Sequence, residues 1–113
     1  ELCRRMVELG AQAFVVSAAF TVPTGEAHWH LLLRARAVEN LCALVAGAQA
    51  GTHQNGRQTY GHSAVIDCWG RLLAELPSGD GVAIGEVDFA RQARVRAEFP
   101  ALEHRVLGRT MDG

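Results

Sequence analysis

The sequence predicts a mixed α/β fold: a βαβ unit followed by a strand meander and a C-terminal helix. Three observations predict it. Ala13–Val16 and Cys42–Ala48 are short apolar runs of the length and composition of buried strands. Between them lies a helix-periodic stretch, Glu26–Leu41, long enough to cross over between two parallel strands. Beyond Ala48 the pattern changes to short runs separated by turn pairs, as in an antiparallel meander.

Leu2, Met6 and Leu9 share one helical face while Arg4, Arg5 and Glu8 lie off it, and Gly10 supplies a C-terminal stop. Thr21–Gly25 is expected to be a loop, because Pro23 lacks an N–H and restricts the residue before it. Thr24 or Gly25 then caps the Glu26–Leu41 helix. Trp29, Leu31, Leu32, Leu33, Ala35, Ala37 and Val38 surround it so fully that burial on most faces is expected. Gly51–Gly61 reads as a polar connection around the turn pair Asn55-Gly56. Ser63–Cys68 and Arg71–Leu76 read as strands joined at Trp69-Gly70. After a turn over Pro77–Gly81 come a further strand, Val82–Val87, and a basic amphipathic helix, Phe89–Phe99, stopped at Pro100.

Composition narrows the function. The 113 residues are 49% hydrophobic and 20% charged, enough apolar material for a core and too little charge for a disordered chain. Net charge is -1, which offers no footprint for nucleic acid or an anionic membrane surface. No apolar run approaches the roughly 20 residues of a membrane span. Cys3, Cys42 and Cys68 are odd in number and far apart, a pattern of reduced thiols that predicts a cytoplasmic setting. The chain opens at Glu1 in what reads as helix interior, so a preceding segment is expected.

Several constellations fail a physical test. Gly51–Arg57 has glycines at phosphate-loop spacing but neither the Lys nor a following helix N-terminus. His62-Ser63 with Asp67 lacks the strained turn of a nucleophile elbow. His28 and His30 are two apart and do not share a helical face. His53 and His62 flank a loop without a carboxylate or thiol to complete a set, so no metal site is expected. Packing is the expected role of Cys3 and Cys42, and Cys68 sits at a turn without an activating base. Arg34, Arg36 and Glu39 carry charge on a helix expected to be buried. Arg36 and Glu39, three apart, are therefore expected to form a structural ion pair.

Read in order, these pieces resemble the carbon–nitrogen hydrolases of the nitrilase superfamily. The resemblance runs through Ala18–Gly25 (Ala-Ala-Phe-Thr-Val-Pro-Thr-Gly), His28-Trp29 and Leu32–Asn40. It continues through Ala48–His53, Tyr60–Ser63 and Val65–Gly70, to about Leu107. Among subfamilies the His53…Arg57…Tyr60-Gly-His-Ser run is most similar to amidases of deaminated glutathione. His30 stands where relatives commonly carry Glu, Ala50 where such amidases often carry Cys, and Cys68 where a Pro precedes Trp-Gly.

The resemblance implies the C-terminal half of an α-β-β-α sandwich, with residues 1–113 one partial domain. It implies a Glu–Lys–Cys set acting through a thioester. Glu1-Leu2 matches the end of the segment that the nucleophilic Cys opens, so all three catalytic residues are expected upstream of Glu1 and none in this chain. No Lys occurs in the sequence. The expected substrate is a small amide, such as deaminated glutathione or an α-keto acid amide, with no cofactor and a homo-oligomeric parent. Phe20 and Thr21 are expected to face substrate, with Thr24 and His28 beside them, because the loop follows a strand C-terminus. Three alternatives stay open: a nitrile or N-carbamoyl substrate on the same fold, a non-catalytic interaction module, and an unrelated α/β binding domain.

Overall fold

The computed structural model describes residues 1–107. A helix α1 (Leu2–Glu8) leads into β1 (Ala13–Ala18), which runs parallel to β2 (Ala43–Ala48), with Phe14 opposite Leu44 and Ala18 opposite Ala48. β5 (Ser63–Ile66) pairs antiparallel with β2, and β6 (Leu72–Leu76) antiparallel with β5, giving the order β1-β2-β5-β6. The turn between β5 and β6 falls at Trp69-Gly70. Asp67 Oδ1 closes it by accepting the backbone N–H groups of Trp69 and Arg71, both at 2.9 Å. Glycine is needed there: φ is +82°, and a Cβ would lie 2.7 Å from the Val38 side chain.

The crossover from β1 to β2 differs from expectation at its start. Thr21–Gly25 is not a loop. A short α2 (Val22–Thr24) begins there, continues through a π-helical turn (Gly25–Trp29) and becomes α3 (His30–Asn40). Pro23 is no obstacle because N–H groups of the first turn have no intrahelical acceptor to lose. The expected burial on most faces is also wrong. Trp29, Leu33, Ala37 and Asn40 are buried, whereas Leu31 is 67% and Leu32 41% exposed. One sheet covers one face of one helix, and the buried residues follow the i, i+4, i+8 spacing of that face.

The core lies between this helix face and one face of the sheet. Phe14, Leu44, Ala46, Ala64 and Ile66 point up into Trp29, Leu33 and Ala37. On the opposite sheet face Val65 is covered by the extended segment 82–87, whose Gly85 sits against Val65 and Leu73. Over β1 and β2 that same face is open, and Val15 is 82% exposed. Segment 82–87 was expected as a strand, but it lies on β5 and β6 side chains rather than beside a free edge, so no ladder forms.

Gly51–Gly61 is likewise more ordered than a polar connection. β3 (Ala50–Thr52) and β4 (Gln58–Tyr60) form an antiparallel hairpin, with Gly56 at φ +81° in its turn. The last long helix, α4 (Phe89–Glu98), matches the expected one, with Asp88 capping its N-terminus through the Arg91 N–H at 2.8 Å. Buried Gln92 ties α4 to β2 and to the residue just before β1: its Nε2 donates to the Gln12 carbonyl and its Oε1 accepts from the Ala43 N–H. Arg96 donates to the Leu41 and Asn40 carbonyls, satisfying the end of α3, where Leu41 takes the left-handed conformation.

Candidate functional site

The C-terminal ends of β1 and β2 open into a shallow depression lined by Ser17, Ala18, Ala19, Gly47, Ala48 and Gln49. The chain leaving β1 is held there by the β3–β4 hairpin. Ala18 O accepts from the Gln49 N–H at 3.1 Å, and Phe20 O from the Tyr60 N–H at 2.9 Å. The Arg57 guanidinium reaches Ala19 O at 3.1 Å, and Thr21 bridges to Thr59.

Of the residues singled out in this segment, two are brought together. Thr21 and Thr24 hydroxyls are 2.8 Å apart, and Thr24 Oγ1 also donates to the Thr21 carbonyl. The Phe20 ring packs on Trp29 with centroids 4.9 Å apart, so much of it serves the core. His28 is exposed on the π-helical turn and stands outside this group. The hairpin and helix meet at Gly25, where a Cβ would fall 2.2 Å from the Tyr60 ring.

A second cluster was missed by sequence reasoning. Glu75 Oε1 accepts from His30 Nε2 at 2.6 Å and from His62 Nδ1 at 2.5 Å. The Tyr60 ring stacks on His62 at 4.0 Å, and His30 meets His62 edge-on at 5.1 Å. His62 holds φ +61°, and its carbonyl accepts from Trp29 Nε1 at 2.9 Å, which fixes its backbone. Burial pushes the Glu75 carboxyl up, but hydrogen bonds from His62 and His30 and their charge outweigh it, leaving the group below the usual range. The carboxylate that was wanting beside His62 sits on β6, 13 residues away. The available signal was Glu75 itself, the one acidic residue of the apolar run Leu72–Leu76.

The rejected constellations are accounted for by contacts. Ser63 Oγ accepts from the Ala48 N–H at 2.9 Å and donates to its carbonyl at 3.3 Å, tying β5 to the end of β2. Asp67 Oδ2 pairs with Arg91 at 3.0 Å. Arg36 meets Glu39 at 2.8 Å, but both are nearly half exposed, beside a cleft between α1 and α3 that Asn40 also lines. Arg34 donates to the Gly70 carbonyl at 2.8 Å. Burial pushes the Cys42 thiol up to about 11 and raises Cys68 too, with the Asp67 charge adding to the effect there. Cys3 packs partly against the core. Neither Cys42 nor Cys68 holds an appreciable thiolate fraction near neutral pH.

Among the described residues, no helix is long and apolar enough to cross a membrane. The carbon-nitrogen hydrolase family matches residues 1–97. The chain is 46% identical over 106 residues to a deaminated glutathione amidase of Synechocystis, covering 94% of this chain and 39% of that protein. The crystal structure of the C. elegans NitFhit protein superposes with a TM-score of 0.88 at 42% identity, covering 92% of this chain and 25% of that one. An amidase of Nesterenkonia, solved after Michael addition of acrylamide at its active-site cysteine, superposes with a TM-score of 0.67. It is 29% identical, with coverage of 88% and 38%. The chain thus spans well under half the length of the relatives it matches. A βαβ unit continued by the β5–β6 meander, matched in sequence and in three dimensions, places this chain in the carbon–nitrogen hydrolase family of the nitrilase superfamily.

Proposed function

We propose that these residues are the C-terminal part of an amidase that hydrolyses the carbon–nitrogen bond of a small amide of the deaminated-glutathione type. The observation that carries this reading is the similarity to the Synechocystis deaminated glutathione amidase over 94% of the chain. The reaction is acyl transfer. A thiolate attacks the amide carbon, ammonia leaves, and water then cleaves the thioester. In this reading a Glu acts as general base and a Lys steadies the oxyanion. All three groups lie upstream of Glu1. The absence of Lys from the sequence and the raised thiols of Cys42 and Cys68 support that assignment.

The contribution of this chain is a wall and its scaffold. The depression at the ends of β1 and β2 lies where α/β folds place ligands. Thr21, two residues along the chain from Ala19 of its lining, offers a hydroxyl held by Thr24. The open β1–β2 face, with Val15 and Val45 uncovered, is the surface on which the remainder of the sandwich packs.

The test is a chimera in which this chain replaces the corresponding part of the Synechocystis amidase. Ammonia release is followed from deaminated glutathione, from a nitrile and from an N-carbamoyl amino acid. Turnover of the amide at least tenfold above the other two is expected. Preference for the nitrile or carbamoyl compound would reassign the substrate, and a folded but inactive chimera would favour the interaction module.

A further inference from the structure

The geometry points to a binding site for a first-row transition-metal dication of the Zn2+ class, formed by His30, His62 and Glu75. The three residues come from three elements: the start of α3, the β4–β5 connection and β6. Their donor atoms, two imidazole nitrogens and one carboxylate oxygen, all lie within 4.8 Å of one another. Two imidazoles and one carboxylate match the donor preference of Zn2+, Co2+ and Ni2+, and leave coordination positions open for water or another ligand.

The side chains are pre-oriented and only partly exposed, between 23% and 33%. His62 is fixed on both sides, its ring by Tyr60 and its backbone by Trp29. The stacked ring and the tethered backbone limit how far the imidazole must reorient to meet a metal.

The present donor spacing is that of hydrogen bonds, 2.5 and 2.6 Å. Metal bonds of about 2.0–2.1 Å place neighbouring donors roughly 3.3 Å apart. Binding therefore requires Glu75 to withdraw by under about 1 Å and the two imidazole nitrogens, which lie within 4.8 Å of each other, to settle near the same spacing. On binding, each imidazole keeps one proton on its far ring nitrogen and releases any second proton to solvent, and the metal takes the lone pair of the nitrogen that faces Glu75. No covalent or redox step is involved. Mg2+ and Ca2+, which demand six or more oxygen ligands, do not fit.

The site is independent of the amidase reading and is tested on the full chain. Co2+ is titrated while its visible absorption is followed, with Zn2+ as competitor. One Co2+ per chain is expected, displaced by Zn2+ and not by a large excess of Mg2+. His30→Gln and Glu75→Gln should each weaken binding at least tenfold, while His28→Gln, two residues away and exposed, leaves it unchanged. Ring-nitrogen chemical shifts of the unsubstituted chain read the same site without any variant, and on Zn2+ addition those of His30 and His62 should move. No stoichiometric binding, or shifts confined to His28, His53 or His104, would overturn the assignment and leave the cluster a hydrogen-bonded network only.

Discussion

At Gly25 the packing of a helical turn on the Tyr60 ring leaves no volume for a methyl group, since the added Cβ would fall 2.2 Å from the ring. Gly25→Ala is expected to cost about 1–3 kcal/mol, as overpacked sites do, and denaturant unfolding measures it. Surface charge behaves differently. Arg36→Ala removes an ion pair that is about half exposed, so its cost should stay below about 0.5 kcal/mol. Cys42 gives a pH signature. Its thiol is fully buried and titrates near 11 rather than 9.0, because burial disfavours the thiolate. The folded state therefore holds its proton more tightly than the unfolded state. The resulting stability is complete below pH 9 and is lost as pH rises toward 11, by about 2–3 kcal/mol. Unfolding curves across that range should show a larger loss in the original chain than in Cys42→Ala, where only the raised Cys68 thiol remains. The packing role of Cys42 was legible from its apolar neighbours. The partnership of Glu75 with His30 was not, because 45 residues and two strand reversals separate them.

Among the elements, the parallel β1–β2 pair, the β5–β6 turn and α4 were legible because local pattern and tertiary demand agree there. Apolar runs of strand length flank a crossover, a Trp-Gly turn needs a positive φ, and Asp88 caps a periodic helix. The segment over 82–87 misled because its alternating residues also suit an extended chain laid across a sheet, with Ile84 85% exposed. Apolar content likewise overstated the burial of α3, since three successive leucines cannot all face one sheet. Leu33→Ala should cost about 2–5 kcal/mol, the range for a buried leucine, and Leu31→Ala less than about 0.5 kcal/mol. Equal costs at the two positions would contradict the placement of the helix. Of the loop after β1, the position was legible and the helical turn at Pro23 was not. A proline tolerated in a first turn looks the same in sequence as one that begins a loop.

For the whole molecule, the uncovered β1–β2 face decides what the chain can do alone. A sheet with Val15 and Val45 open to water presents an apolar surface of the kind that seeks a partner. Val15→Lys should therefore change the stability of the 113-residue chain by less than about 0.5 kcal/mol, since its side chain is already in water. In the chimera with the upstream part of the Synechocystis amidase the same substitution buries a charge. It should then cost several kcal/mol, read by thermal unfolding. The most direct measurement of the catalytic assignment is amide hydrolysis by the 113-residue chain alone and by the chimera carrying Cys3→Ala, Cys42→Ala and Cys68→Ala together. The expected result is no ammonia above background from the chain, and retained turnover in the substituted chimera, because in the proposed function the attacking thiolate is none of these three cysteines. Ammonia released by the chain alone, and abolished by replacing one of its three cysteines, would contradict it.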